Sequence, residues 1–283
     1  MPSPARPQPT PFAVEPVPGL TVAGDDAGGG APIVLLHGLT ATRRNVVQGS
    51  SHLLGRGYRL IGYDARGHGE SSPASDPDAY GYPDLADDLV AVLDALELDR
   101  VVLAGSSMGA ATAMRLALRA RARVSALVQI TPAYAGAGRL DADGLAHWDR
   151  LADALDAGDV DAFVELTGVA DLPERWREPA RVATRQRIER HRHLDAVARA
   201  LRIVPRSEAF ASLDELERLD APTLVVGSRD GPDPGHPLAV AEAYARRLPH
   251  AQLAVEDEGD SPLAWQGARL SRTIGDFLDG VGA

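Results

Sequence analysis

One short segment of the chain has the residue pattern of a nucleophilic serine. Gly105-Ser106-Ser107-Met108-Gly109 has the form G-x-S-x-G, follows an apolar run at 101–104 and precedes an alanine-rich stretch at 110–120. This order predicts a strand, a tight turn and a helix, and the glycines relieve the crowding of the reversing backbone. Because a serine hydroxyl must give up its proton when it attacks a carbonyl carbon, Ser107 requires a nearby base.

Strands and helices alternate on both sides of this segment. The sequence predicts strands at 33–36, 58–63, 101–104, 124–130, 223–227 and 252–255, and helices at 43–54, 82–96, 110–120, 238–248 and 263–278. Such alternation is typical of an α/β fold with a doubly wound, mostly parallel sheet. Ligands bind at the carboxyl ends of the strands in such sheets. We expect a site there, because polar residues follow five of the strands: His37, Asp64, Ser107, Thr131 and Asp230.

Two regions depart from this alternation. Residues 1–12 are rich in proline and are predicted to form a flexible arm. Between residues 132 and 219 the strands disappear and charged, alanine-rich helices dominate, which predicts a helical cap inserted into the sheet domain. The α/β core then comprises residues 13–131 and 220–283.

The composition argues against several classes of function. The 283 residues include 29 basic and 40 acidic side chains, a net charge of −11, whereas nucleic-acid and anionic-membrane surfaces need a basic patch. The chain has no cysteine, its histidines lack metal-binding spacing and it has no phosphate loop, so we expect no metal and no cofactor. Since no secretory signal or membrane-spanning run is evident, we predict a cytoplasmic protein that acts on a small molecule.

Three motifs, in this order and spacing, resemble the α/β-hydrolase superfamily, in particular its branch of capped esterases, lipases and haloperoxidase-like enzymes. They are His37-Gly38, Asp64-x-Arg66-Gly67-x-Gly69-x-Ser71 and Gly105-x-Ser107-x-Gly109. The resemblance covers roughly residues 30–280. It implies an α/β-hydrolase fold with Ser107 as the nucleophile and Asp230 as the acid of a catalytic triad. It also implies an oxyanion hole made by the N–H groups of Leu39 and Met108, and substrate contacts at His37 and Gly38.

One position departs from the pattern of the family. The family has a glycine-histidine pair after the last core strand, whereas this chain has Glu258-Gly259-Asp260-Ser261-Pro262. Asp260 therefore occupies the place of the catalytic histidine. A carboxylate with a pKa of about 4 is a weak base toward an alcohol at neutral pH.

Three hypotheses follow from this departure. In the first, another histidine supplies the base, and His236 is the best placed because it lies six residues after Asp230 and just before a predicted helix. A helix N-terminus disfavours the imidazolium, so we expect a neutral His236. In the second, Asp230 and Asp260 form a carboxylate pair that shares a proton and serves a cofactor-independent lyase or cyclase reaction. In the third, the chain is a catalytically inactive binding scaffold.

Of these we favour an enzyme of the serine-hydrolase type, with a non-standard base, that acts on a small, largely apolar ester or related carbonyl compound. Two further groups of residues could contact a substrate but are better explained as solvated helix surfaces. They are Arg43-Arg44, next to the expected oxyanion loop, and His191 and His193 in the cap.

Overall fold

A computed structural model describes residues 8–136 and 140–283 of the chain, and an eight-stranded sheet lies at its centre. The strands are β1 (Thr10–Val17), β2 (Leu20–Ala27), β3 (Pro32–Leu36), β4 (Arg59–Tyr63), β5 (Val101–Ser106), β6 (Val124–Ile130), β7 (Thr223–Val226) and β8 (Ala251–Ala254). Their order in the sheet is β1-β2-β4-β3-β5-β6-β7-β8. β2 pairs antiparallel with β1 and with β4, and the other pairs are parallel.

Helices flank the sheet and fill the segment between β6 and β7. They are α1 (His52–Gly55), α2 (Tyr82–Ala95), α3 (Met108–Arg119), α4 (Ala142–Asp156), α5 (Val160–Leu166), α6 (Glu174–Ile188), α7 (Leu194–Ile203), α8 (Leu238–Arg247) and α9 (Gly267–Val281). The predicted α/β fold, with a mostly parallel sheet and an inserted helical segment, is confirmed. The helical insertion is α4–α7, and the limits 132–219 for the cap stay a prediction.

The sheet begins earlier in the chain than the sequence indicated. Thr10, Pro11 and Phe12 already belong to β1, so the predicted arm is wrong for these three residues, and residues 1–7 lie outside the described part of the chain. The β1–β2 hairpin was missed because β1 contains two prolines and has no fully buried position. Prolines are tolerated there because β1 is an edge strand, where one side of the backbone needs no ladder partner.

The helix predicted at 43–54 is also wrong. Arg43–Asn45 forms only a short 3₁₀ turn, and α1 is limited to four residues. Between them, Gln48 and Gly49 have φ angles of +48° and +70°. This left-handed backbone interrupts any continuous helix.

Apolar side chains form three clusters around the sheet and the cap. One face of the sheet packs against α2, α3 and α8, and the other packs against α1 and α9. The cap helices enclose a cluster of their own, and Leu39 packs against both this cluster and the first core cluster. The loop after β3 therefore lies where the cap meets the core. No helix in residues 8–136 and 140–283 is long and apolar enough to cross a membrane.

Candidate active site

Ser107 occupies the sharp turn between β5 and α3. Its φ and ψ are +52° and −110°, and its N–H donates to the carbonyl oxygen of Ile130 on the neighbouring strand (3.0 Å). A Cβ at Gly105 would overlap the backbone of Gly109, and a Cβ at Gly109 would overlap that of Leu36. Both glycines are thus required by close backbone packing. A non-glycine residue held at positive φ is strained, and such strain is concentrated at functional sites.

The loop after β3 runs beside this serine. A Cβ on Gly38 would lie 3.4 Å from the Cβ of Ser107. Among the described residues, the N–H of Leu39 donates to no protein acceptor. Met108 opens α3, and N–H groups in the first turn of a helix have no partner within that helix. Free N–H groups near a serine are the arrangement that can stabilise an oxyanion.

His37 is buried and supports this loop from within. The N–H of Ala65 donates to His37 Nε2 (2.9 Å), so the ring proton lies on Nδ1 and is donated to the carbonyl oxygen of Gly38 (2.8 Å). Burial lowers the pKa of His37, which keeps the ring neutral. Both ring nitrogens are bonded to protein, and the substrate contact at His37 stays a prediction. His37 orients the backbone that contains Gly38.

Three buried histidine rings, called the histidine stack below, contact one another between the loops of the core and the cap. One contact is tilted and the other is T-shaped. His68 lies between His37 and His191, with ring centroids 5.2 Å and 5.4 Å apart respectively. His191 Nδ1 accepts from the N–H of Gly69 (2.8 Å), and Nε2–H donates to the carbonyl oxygen of Thr40 (2.9 Å). Burial lowers the pKa of His191 to about 4 and that of His68 well below its usual value. The prediction of a solvated His191 is therefore wrong.

The contact of His191 fixes the shape of the loop after β3, called the oxyanion loop for its predicted role. Thr40 has a φ of +66°, a conformation that is unfavourable for a β-branched residue. The hydrogen bond from His191 holds its carbonyl group, and the N–H of Arg192 donates to Gly69 on the loop after β4 (3.0 Å). The segment between α6 and α7 is thus bound to two core loops, and one of them contains Leu39.

This histidine stack is not arranged as a metal site. The Nε2 of His37 and the Nδ1 of His191 each accept a backbone N–H, so their lone pairs are occupied. Within residues 8–136 and 140–283, no group of three or more histidine, cysteine, aspartate or glutamate side chains could hold a metal ion.

The two carboxylates of the predicted pair each have a different partner. Asp230 is exposed, and its Oδ1 accepts from the N–H of Leu238 at the start of α8 (2.6 Å). Asp260 is also exposed, and its Oδ2 lies 2.7 Å from Arg269 Nη1. In the described part of the chain, no hydrogen bond or ion pair joins Asp230 to Asp260. The geometry therefore gives the shared-proton hypothesis no support.

His236 is paired with a carboxylate that the sequence analysis missed. Its Nδ1 lies 2.9 Å from Asp233 Oδ1, and the two side chains are 28% and 13% exposed. Burial lowers the pKa of His236, but the charge and hydrogen bond of Asp233 outweigh burial, so the pKa is raised overall. The expectation that the helix N-terminus lowers the pKa of His236 is wrong, because the paired carboxylate of Asp233 raises it. The signal that could have revealed the pair is the D-x-x-H spacing within a tight proline- and glycine-rich turn, 231–237.

A protein-family model described as "alpha/beta hydrolase fold" matches residues 31–266 of the chain. The chain belongs to this family. It is 30% identical to the non-heme chloroperoxidase CPO-A1 of Kitasatospora aureofaciens over 275 residues, which are 92% of this chain and 97% of that protein. The similarity to the AB hydrolase superfamily protein YisY of Bacillus subtilis is higher, 39%, but covers only 35% of this chain and 37% of that protein.

Solved structures agree with this assignment. A thermophilic esterase from Thermogutta terrifontis, determined with malate bound, superimposes with a TM-score of 0.80 at 27% identity, covering 98% of this chain and all of that one. A bromoperoxidase from Bacillus anthracis gives a TM-score of 0.79 at 21% identity, over 95% of this chain and 100% of that one, and so supports the fold. This α/β-hydrolase thus lies in the branch of esterases and haloperoxidases.

In this α/β-hydrolase Arg43 is neutralised beside the oxyanion loop. Its guanidinium donates to Asp25 (2.6 Å), to Asp64 and to Glu70 (2.6 Å), and only 9% of its side chain is exposed. The prediction of a solvated helix start is wrong for this residue, because three carboxylates surround it. Arg43 therefore serves to join β2 to the loop after β4, with little capacity left for an anionic substrate.

Proposed function

We propose that this α/β-hydrolase cleaves a small, largely apolar ester or a related carbonyl compound, with Ser107 as the attacking nucleophile. The observation that carries the proposal is the strained turn at Ser107, enforced by glycines and located beside the oxyanion loop. A serine held in this way presents its hydroxyl at the edge of the sheet. The likeness to a known esterase over nearly the whole chain supports the same reaction class.

In this mechanism the N–H groups of Leu39 and Met108 bind the oxyanion that forms when Ser107 attacks. Each such donor contributes about 3–4 kcal/mol to the stability of the transition state in enzymes where it has been removed. Leu39 packs against apolar clusters of both the core and the cap. Apolar surroundings on both sides of the loop favour an apolar acyl chain.

We propose that His236 supplies the base in place of the family histidine. Asp233 accepts the Nδ1 proton of His236, which leaves Nε2 as the atom able to take a proton. Nε2 removes the proton of the Ser107 hydroxyl during attack and returns it to the departing alcohol. A water molecule then hydrolyses the acyl-enzyme by the same route. The raised pKa of His236 favours this role, because a general base acts best when its pKa is near the working pH.

Labelling with a fluorophosphonate probe tests the nucleophile. We expect one adduct per chain, located on Ser107 by peptide mass spectrometry, and no adduct in Ser107→Ala. Ser106→Ala is the matched control, since it removes the neighbouring hydroxyl and should still be labelled. Absence of labelling at every pH from 6 to 9 would contradict the proposal.

A second experiment tests the base, with p-nitrophenyl butyrate as substrate. We expect His236→Ala to lower kcat by about 10²–10⁴-fold, the usual contribution of a general base. Asp260→Ala should retain most activity, because its carboxylate is paired with Arg269 at the surface. His250→Ala, at an exposed histidine, controls for the loss of an imidazole. Full activity in His236→Ala would refute this assignment and leave the serine mechanism to be tested with other histidines.

A further inference from the structure

The side chain of Arg187, near the end of α6, has no partner in the described part of the protein. Among the described residues its guanidinium makes no hydrogen bond and no ion pair, and its Nε atom is enclosed. Two other arginines with an enclosed, unpaired Nε, Arg115 and Arg123, bond through their terminal nitrogens to backbone oxygens or to a carboxylate. Arg187 differs because no nitrogen of its side chain bonds to a protein atom in the described part of the chain. A half-buried cation without an anion is costly, so its presence requires an explanation.

The position of Arg187 on α6 directs it toward the core. Residues at spacings of three and four lie on one face of a helix. Trp176, at one end of this face, contacts Trp265 of the core edge to face, with ring centroids 6.0 Å apart. Thr184, in the middle of the face, is buried, and His191, just beyond the end of the helix, bonds to Thr40. Arg187 lies between these core contacts and on the same face.

Arg187 lies one turn before His191, whose ring bonds to Thr40 of the loop after β3. Its charge lowers the pKa of both His191 and His236, so it is close to both rings. Burial lowers the pKa of Arg187 itself, and the charge of Asp233 opposes this only in part. The Asp233 carboxylate is bonded to His236 and makes no ion pair with Arg187. Arg187 thus lies where α6 meets the core, next to the loop that contains Leu39 and Thr40.

We propose that Arg187, on α6 of the cap, binds a carboxylate of the substrate. The preferred substrates are then esters with one apolar chain that ends in a carboxylate. A guanidinium presents its N–H groups in a planar fork that matches a carboxylate with two parallel hydrogen bonds. Arg43 cannot serve this purpose, because its N–H groups are already taken by acidic side chains. The inference rests on the proposed function and narrows its substrate class.

Binding can be measured apart from catalysis in the Ser107→Ala protein. The probes are monomethyl glutarate, an anionic ester, and dimethyl glutarate, its neutral counterpart, titrated by calorimetry at fixed ionic strength. Arg187→Gln removes the charge, Arg187→Lys keeps the charge without the fork, and Arg190→Gln is the control at an exposed arginine of the same segment. Thermal unfolding of each variant verifies that it is folded.

We expect Arg187→Gln to weaken binding of monomethyl glutarate by about tenfold to a hundredfold, as the loss of a charged hydrogen bond predicts. The affinity of Arg187→Lys for monomethyl glutarate should lie between those of the parent protein and Arg187→Gln. Arg190→Gln should bind both probes as the parent protein does, and Arg187→Gln should bind dimethyl glutarate without a change in affinity. Equal binding of both probes by the Ser107→Ala protein, or equal weakening of both by Arg187→Gln, would overturn the inference. Because this readout needs no turnover, failed labelling of Ser107 would refute the hydrolase proposal and leave the carboxylate site standing.

Discussion

Lowering the pH should weaken the junction between the cap and the oxyanion loop, because His191 is buried as a neutral ring. Its pKa is 6.5 when unperturbed and about 4 in the folded protein. A lowered pKa means that the unfolded state binds the proton more tightly. The stabilisation from His191 is therefore complete above pH 6.5 and is lost as the pH falls toward 4. By pH 5 the free energy of unfolding should have fallen by about 2 kcal/mol from this residue alone.

Urea unfolding at pH 7.5 and pH 5 measures this loss in the wild type and in His191→Asn. The variant should be less stable at pH 7.5, because its hydrogen bonds to Thr40 and Gly69 are disturbed. Its further loss at pH 5 should be smaller than that of the wild type by about 2 kcal/mol. His37, His68 and the carboxylates are present in both proteins, so the part of their effect that is independent of His191 cancels in the difference. His193→Asn controls for a histidine outside the stack. Equal pH-dependent losses in the wild type and His191→Asn would refute the reasoning.

Two other substitutions test packing around the site. Gly109→Ala should lower stability by about 1–3 kcal/mol, since the added Cβ overlaps backbone atoms of β3. Gly280→Ala, in open space within α9, should be neutral or stabilising. Thermal unfolding compares the two variants, and an unchanged melting temperature in Gly109→Ala would contradict the packing argument. Asp88→Asn should cost about 3–5 kcal/mol, because it removes the buried anion that lies 2.6 Å from the guanidinium of Arg66 and leaves only Asp84, 3.6 Å away. Asp87→Asn, at an exposed ion pair, should cost less than about 1 kcal/mol, and similar urea midpoints for the two variants would show that the buried pair is not required.

The sequence predicted those elements whose patterning is local. The strands β3 to β8 are mostly continuous apolar runs, and α2, α3 and α8 have helical periodicity or an alanine-rich composition, so each was recognised within a few residues of its bounds. The β1–β2 hairpin was missed because an edge strand with one solvated face and two prolines lacks such a pattern. The helix predicted at 43–54 is interrupted at Gln48 and Gly49, which have positive φ angles. The spacing of apolar residues does not reveal such angles.

The candidate site was predictable only in part, for a similar reason. The turn at Ser107 depends on glycines that are adjacent in sequence, and the sequence identified it directly. The contacts of His191 with Thr40 and Gly69 join residues more than a hundred positions apart. The pattern of the cap helices gives no information on which core loop they touch. Arg187 was missed for this reason, since its lack of a partner is visible only once the cap is placed on the core.

The surroundings of Asp260 explain how a base could come from a different loop. β7 and β8 are adjacent parallel strands, so the loops that follow them leave the same edge of the sheet side by side. Glu256 joins the two loops, because its buried carboxylate accepts the N–H of Arg229 (2.6 Å) and of Leu263 (3.2 Å). The side chain of Asp260 is paired with Arg269. The loop after β8 contains no histidine, so it cannot supply an imidazole. The neighbouring loop, held in place by Glu256, contains the His236–Asp233 pair, and in the proposed mechanism the base for Ser107 comes from that loop.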